Sequence, residues 1–201
     1  MTTTATPAAG VQKKGSRLNL APLQKFGRSL MLPIAALPVA ALLLRLGQPD
    51  LLGADGLGWV KVAAVIGAAG DAVFANLPLL FALGVAIGMA KKSDGSTALA
   101  AVVGYLVFKG VGDAMSPIIG LPAPDDVQQL VDYGVLGGIV SGLTAAVLWQ
   151  KYHRIKLPPY LAFFGGRRFV PIVTAFAMIV ISVLMSLVYQ YFNDGLTSVG
   201  E

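Results

Sequence analysis

Long apolar stretches separated by short polar segments dominate the pattern of this chain. A membrane-spanning helix needs about 20 predominantly apolar residues, and five stretches approach or reach that length. The last is the clearest, because it contains no charged side chain. The pattern therefore predicts an all-α polytopic membrane protein. The five predicted spans are Ser29–Leu46, Val73–Ala90, Thr97–Val111, Gly134–Gln150 and Phe169–Phe192.

The segments between the spans predict turns and short helices. Residues 59–70 are predicted to form a short amphipathic or half-membrane helix, and residues 112–133 a proline-rich loop that partly re-enters the membrane. Pro33 and Pro38 should kink the first span. The turn before the third span makes Ser96 or Thr97 a candidate N-cap. We expect residues 1–22 to be a disordered cytoplasmic tail and residues 23–201 to be one membrane domain.

Composition supports lipid as the solvent and excludes several kinds of site. Hydrophobic residues make up 56% of the chain and charged residues 12%, whereas soluble domains average about 25% charged residues. The chain has no cysteine and a single histidine, His153, which excludes disulfides, thiol chemistry and multi-histidine metal sites. We therefore predict no metal and no cofactor. Nucleic acid is not an expected partner, because the basic residues cluster at the ends of the apolar stretches.

Basic residues predict the orientation. With a cytoplasmic N-terminus and five spans, 12 of the 15 Lys and Arg residues fall on the cytoplasmic side, as the positive-inside rule requires. The C-terminus would then lie outside. The three exceptions are Arg45, Lys61 and Lys109. The predicted cytoplasmic set is Lys13, Lys14, Arg17, Lys25, Arg28, Lys91, Lys92, Lys151, Arg154, Lys156, Arg167 and Arg168.

Polar residues within the apolar stretches offer two candidates for substrate binding, Asp71 and Asn76. An acid inside a membrane span is by default a candidate functional residue. The favoured interpretation of Asp71 is nevertheless an N-cap of the second span. Pro78 follows Asn76 and should expose carbonyl groups toward a cavity.

Glycines recur at four-residue spacing in two of the spans. Gly134, Gly138 and Gly142 share one helix face, and Gly84 and Gly88 share another. Small residues at this spacing let helix backbones approach closely. The first set is a candidate dimer interface, and packing within one chain is an equal alternative.

No catalytic residue is predicted. His153 lies among basic residues with no carboxylate to orient it, which favours a solvated loop histidine over a phosphoryl acceptor. Gly165 and Gly166 precede Arg167 and Arg168 without the spacing of a phosphate-binding P-loop. We interpret this segment as a turn followed by basic residues that face lipid phosphates.

Three blocks of sequence resemble the membrane subunit (EIIC) of bacterial sugar phosphotransferase systems, in the glucose/N-acetylglucosamine family. They are LQKFGRSLMLPIAALPVAALLLRLG, FANLPLLFALGVAIGMAKKSDGSTALAAVVGYLVF and GVLGGIVSGLTAAVLWQKYHRIKLPPYLAFFGGRRFVPIV. The resemblance implies a multi-pass permease in the bacterial cytoplasmic membrane that takes up a sugar and works with EIIB and EIIA phosphocarrier domains. The sequence of these blocks is most similar to N-acetylglucosamine-type members, and glucose is the second candidate substrate.

The chain departs from this family in length. Family members are about twice as long, and their later half carries a GITEP-type motif whose glutamate binds sugar; the motif is absent here. We therefore expect the half that builds the dimer interface, which would bind sugar only together with the other half. The alternative is a self-standing dimeric pore or a regulatory truncated paralogue.

Single-cysteine labelling tests the predicted orientation in a chain that has no native cysteine. In intact cells, cysteines that replace Lys14 and His153 should be protected from an impermeant maleimide, whereas cysteines at Asp126 or Gly195 should react. Reaction at position 153 from outside would show that the orientation is wrong.

Overall fold

The computed structural model describes residues 20–121 and 130–200, and for residues 190 and 192–200 only the backbone is considered. The described part consists of helices and connecting loops. Two 3-10 turns, Pro159–Phe164 and Gly166–Arg168, precede the last helix. The seven α-helices are α1 (Ala21–Ile34), α2 (Leu37–Leu46), α3 (Val60–Ala75), α4 (Leu77–Met89), α5 (Gly95–Met115), α6 (Gly134–Tyr152) and α7 (Phe169–Gly200).

Four helices form a bundle, and two others extend from it. Helix α4 packs on α6, α5 packs on α7, and α5 and α6 lie side by side. Helix α1 covers the remaining face of α4. Helices α2 and α3 pack mainly against each other, so this pair forms an arm at the edge of the bundle.

The fold class is confirmed, but fewer helices than the five predicted spans are long and apolar enough to cross a membrane. Among the described residues there are three such segments: Ala21–Leu46, Gly95–Met115 and Gly166–Tyr189. The pair α3 and α4 makes a fourth if it counts as one broken span. Helix α6 is not among these segments. Its Gly137 contacts Phe108 of α5, and its Trp149 donates a hydrogen bond to Lys91 just before α5. Helix α6 therefore runs antiparallel to α5 over most of the length of α5.

The first helix begins earlier than predicted. The tail prediction for residues 1–22 lies mostly outside the described residues, but Ala21 and Pro22 are already helical. Proline lacks the backbone N–H that the first turn leaves unpaired, so it favours this start. The predicted interruption is present between Ile34 and Leu37, with Pro38 in the first turn of α2.

The prediction of a helix cap at Asp71 is wrong. Helix α3 continues through Asp71 to Ala75, and the chain bends by 53° at Asn76 before α4. Proline at residue 78 explains this position, because it has no N–H to continue the α3 hydrogen-bond ladder and fits the first turn of a new helix. The break between the short helix and the second span was predicted between residues 70 and 73, and it lies at Asn76 instead.

The cap of α5 also differs from the prediction. Asp94, rather than Ser96 or Thr97, is the N-cap, and its carboxylate accepts a hydrogen bond from the Ser96 N–H at 2.9 Å. Thr97 completes a capping box, because its hydroxyl accepts a bond from the Asp94 N–H. Helix α5 then extends to Met115, beyond its predicted end. Helices α6 and α7 begin at the predicted residues Gly134 and Phe169.

Small residues form the core where α4, α5 and α6 meet. The buried cluster consists mainly of alanines, with one large member, Trp149. A second cluster between α5 and α7 contains Phe108, Tyr133 and Met178. Lipid offers no hydrophobic driving force between helices, so association depends on close packing of this kind.

We predict that Gly142→Ala destabilises the protein by about 1–3 kcal/mol, the usual range for overpacking. An added methyl group at Gly142 would come within 2.5 Å of the Ala82 carbonyl oxygen and 2.9 Å of the Val85 side chain. Gly110→Ala is the matched control, because Gly110 lies in α5 with open space around it. Thermal unfolding in detergent should show a lower stability for Gly142→Ala but not for Gly110→Ala. Equal stability of the two variants would contradict this packing.

Candidate functional site

Asp71 lies on the exposed face of α3 and has no partner among the described residues. It is eleven residues past the start of α3 and five before the bend. The side chain lines an open depression of 440 Å³ together with three alanines, Ala68, Ala72 and Ala75. A carboxylate on an apolar membrane helix requires compensation from a partner or from water. Asp71 is therefore a polar group that is available to a ligand or to a neighbouring polypeptide.

Asn76 occupies the bend itself. Its side-chain N–H donates to the Ala72 carbonyl oxygen at 2.8 Å, and its own carbonyl accepts from the Leu80 N–H at 3.1 Å. These bonds satisfy backbone groups that the broken ladder would otherwise leave unpaired. The structure thus brings Asp71 and Asn76 to one end of α3 and gives Asn76 a structural task there.

The hydroxyl groups of the spans mostly bond to the backbone. Ser182 donates to the Phe108 carbonyl oxygen at 2.7 Å and so joins α7 to α5. Ser186 is buried, and its hydroxyl has no partner among the described residues. Bonds to the carbonyl four residues earlier are made by Ser141, Thr144 and Thr174. These groups do not converge on a cavity as a sugar site requires.

The predicted interface glycines have different surroundings. Gly138 is pressed against the Pro78 carbonyl, and Gly142 against α4 at Ala82 and Val85. Their shared face is therefore filled by α4 of the same chain. Gly134 stands at the start of α6 with φ +51 and open space beside it. Because one chain is described, self-association through these residues stays a prediction.

The second glycine pair also packs within the chain. Added side-chain carbons at Gly84 and Gly88 would collide with Pro33 and Ser29 of α1. Helix α4 thus lies between α1 and α6, in close backbone contact with both.

Basic and amide side chains meet the end of α4 at one end of the bundle. The Met89 carbonyl oxygen accepts from the Lys25 ammonium at 2.7 Å and from the Gln150 amide at 3.2 Å. The Trp149 indole N–H donates to the Lys91 carbonyl oxygen at 3.1 Å. These bonds satisfy carbonyls that the end of a helix leaves unpaired. Residues predicted to share the cytoplasmic side therefore do lie together.

An ion pair joins two loops at the same end. Arg167 donates to the Asp94 carboxylate at 2.7 Å, so the capping residue of α5 also holds the segment before α7. His153 is half-buried, stacks on Trp149 with ring centroids 5.1 Å apart, and has Nδ1 2.6 Å from the Trp149 carbonyl oxygen. It is thus packed against α6 rather than fully solvated as predicted.

The opposite end carries its own ion pair. Arg45 donates to both carboxylate oxygens of Asp50 at 2.8 and 2.7 Å. This hydrogen bond lowers the pKa of the Asp50 carboxyl group. Among the described residues, no group of three His, Asp or Glu side chains comes together as a metal site.

Sequence reasoning missed the contacts around Met89 and Asp94. The Met89 carbonyl is a backbone group, so its role has no sequence signal. Asp94 and Arg167 are 73 residues apart. One available signal was the position of Asp94 directly before a helix, where Asp is a preferred N-cap.

The fold, the bent span and the polar ends define a polytopic α-helical membrane protein, and comparison with known proteins identifies its family. The sequence profile described as "Phosphotransferase system, EIIC" matches residues 27–201. The chain therefore belongs to the phosphotransferase system EIIC family of integral membrane permease components.

Three relatives have names that mention amino sugars. The "PTS system N-acetylglucosamine-specific EIIC component" of Streptomyces coelicolor is 54% identical over 100% of this chain and 49% of its own length. The "PTS system glucosamine-specific EIICBA component" of Bacillus subtilis is 45% identical over 88% of this chain and 26% of its own length. The "PTS system N-acetylglucosamine-specific EIICBA component" of Escherichia coli is 43% identical over 89% of this chain and 24% of its own length. The chain thus spans half or less of the length of these relatives.

We predict that the cap of α5 contributes more stability than the ion pair it carries. Asp94→Ala removes both and should lower the free energy of unfolding by about 1–2 kcal/mol. Asp94→Asn keeps an oxygen acceptor for the cap, and the loss of a partly exposed ion pair should cost less than about 1 kcal/mol. Detergent-induced unfolding in mixed micelles measures the free energy of unfolding of both variants. An Asn variant as unstable as the Ala variant would show that the ion pair dominates.

Proposed function

We propose that this chain is the helix-packing half of the EIIC permease of a sugar phosphotransferase system that takes up N-acetylglucosamine or glucosamine. The observation that carries the proposal is the 54% identity to the N-acetylglucosamine-specific relative over the whole chain. All three relatives named above are specific for an amino sugar by name, which favours such a substrate over glucose.

The distribution of polar groups supports a packing role for this half. The span hydroxyls bond mainly to their own helix or to a neighbouring one, and the glycine faces are filled within the chain. A sugar site needs several polar groups that converge in a preformed cavity. Binding of sugar therefore requires further polar groups, which the remaining half of a full-length permease would supply.

Phosphorylation of the sugar is assigned to partner domains. The chain has no cysteine to accept a phosphoryl group, and it is proposed to have no catalytic residue of its own. Two relatives carry the combined designation EIICBA, which supports EIIB and EIIA phosphocarrier domains as partners. Their proposed docking side is the end of the bundle that carries Lys25, Lys91 and Arg167.

That end is proposed to face the cytoplasm, with the protein in the bacterial cytoplasmic membrane. The predicted cytoplasmic ends of α1, α4, α6 and α7 do meet there, so all four ends are proposed to face the same side of the membrane. We also propose a homodimer. Because α4 occupies the faces of Gly138 and Gly142, we propose that the contact uses Gly134 or the outer face of α7, where Phe176, Val180 and Leu184 are exposed.

Asp71 and Asn76 are proposed to line the outer part of the sugar path. Asn76 lies at the bend between α3 and α4, and Asp71 lies five residues before it, where its side chain faces the open depression without a partner among the described residues. A carboxylate there can accept hydrogen bonds from sugar hydroxyl groups. The remaining half would close the depression from the other side.

Complementation tests this proposal. In cells that lack their own N-acetylglucosamine uptake, the chain alone should give no uptake, and co-expression with the second half of the Streptomyces relative should restore it. Asp71→Asn should reduce the restored uptake while leaving assembly unchanged, with Asp55→Asn, at an exposed loop position, as the matched control. Saturable micromolar sugar binding by the purified chain alone, lost in the Asp71 variant, would show that this half holds the site and contradict the packing role.

A further inference from the structure

We propose that the segment Pro159–Arg168 is an interfacial binding site for anionic phospholipid headgroups. Its aromatic side chains would lie at the boundary between headgroups and acyl chains, and Arg168 would bind the lipid phosphate. The proposal rests on the membrane setting of the chain and not on which sugar is transported.

The segment exposes apolar side chains that nothing in the described protein covers. Tyr160 is 82% exposed, Phe163 72%, Phe164 44% and Leu161 40%, and no residue of the turn is buried. The two phenylalanine rings pack edge to face with centroids 5.4 Å apart. Four such residues within one short turn form a contiguous apolar surface, which marks an interaction site.

The position of the segment places this surface at the edge of the membrane. Before it, Trp149 near the end of α6 is bonded to the Lys91 carbonyl. After it, Arg167 is bonded to Asp94, and α7 begins at Phe169 as an uncharged span. Both ends are thus held at one end of the bundle. Six residues of 3-10 helix extend only about 12 Å and cannot cross a core of about 30 Å, so the segment lies along the surface.

The charges of the segment match an anionic surface. The stretch from Lys151 to Arg168 contains five Lys and Arg residues and no acid. Basic residues next to a span attract anionic lipids, and aromatic rings are enriched at this depth. Aromatic and basic side chains together therefore fit a lipid headgroup above an acyl chain.

The two adjacent arginines have different tasks. Arg167 is committed to the Asp94 carboxylate at 2.7 Å. Arg168 has its guanidinium carbon 5.0 Å from the centroid of the Phe163 ring, a cation–π arrangement that leaves its N–H groups available. A guanidinium can bind a phosphate through two parallel hydrogen bonds. Arg168 is therefore the phosphate ligand, and Arg167 positions the segment.

Spin labelling of the full chain tests the depth of the segment. A nitroxide on Phe163→Cys, in vesicles of phosphatidylcholine with phosphatidylglycerol, should be more accessible to oxygen than to a water-soluble nickel complex. A label on Lys91→Cys, at the same end of the bundle, should show the opposite. A water-accessible label at position 163 would overturn the proposal. Protection of that label only after an EIIB domain is added would assign the surface to a protein partner instead.

Lipid selectivity tests the role of Arg168. The measurement is the association of spin-labelled phosphatidylglycerol relative to phosphatidylcholine. Arg168→Gln should lower this preference about fivefold, the effect of one basic residue near the surface. Lys91→Gln is the charge-matched control and should change it less. Arg167→Gln should keep the phosphate contact but make the label at Phe163 more mobile. Equal losses for Arg168→Gln and Lys91→Gln would show a general charge effect and overturn the site.

Discussion

The close approach of α4 and α6 determines where the other helices can lie. Gly138 and Gly142 bring the backbone of α6 against Pro78 and Ala82, and the opposite side of α4 meets α1 through its own glycines. In lipid, such packing replaces the hydrophobic effect as the main source of helix association. Helix α4 is therefore the common element, and α5 and α7 are placed through their contacts with α6 and with each other.

The bend at Asn76 follows from the same contact. Pro78 ends the hydrogen-bond ladder of α3, and the carbonyl of this residue lies against Gly138, where a larger side chain would push α6 away. The 53° bend turns α3 out of the bundle toward α2. One consequence is that Asp71 is exposed, because the helix that carries it packs mainly with α2 and leaves its other face open.

Local patterns predicted the helices well but not their partners. The starts of α6 and α7 were recognised because glycine, proline and basic residues mark them. The break in the second span was misplaced because Asp71 suits a helix cap, whereas the absent N–H of Pro78 decides the break. Four-residue glycine spacing showed that Gly138 and Gly142 would meet a backbone but not which one. Asp71 was identified as a candidate, yet its exposure depends on the direction of α3, which local sequence does not encode.

Polar groups of the described helices are used chiefly to hold helices together. Ser182 joins α7 to α5, and the Met89 carbonyl oxygen accepts hydrogen bonds from side chains of α1 and α6. A buried polar group that already has a partner is expensive to redirect, so these residues are poorly suited to alternate between binding and releasing a ligand. Asp71 differs because no partner constrains it among the described residues. The described bundle therefore uses most of its span hydroxyl groups for helix packing, and it leaves the Asp71 carboxylate exposed on α3.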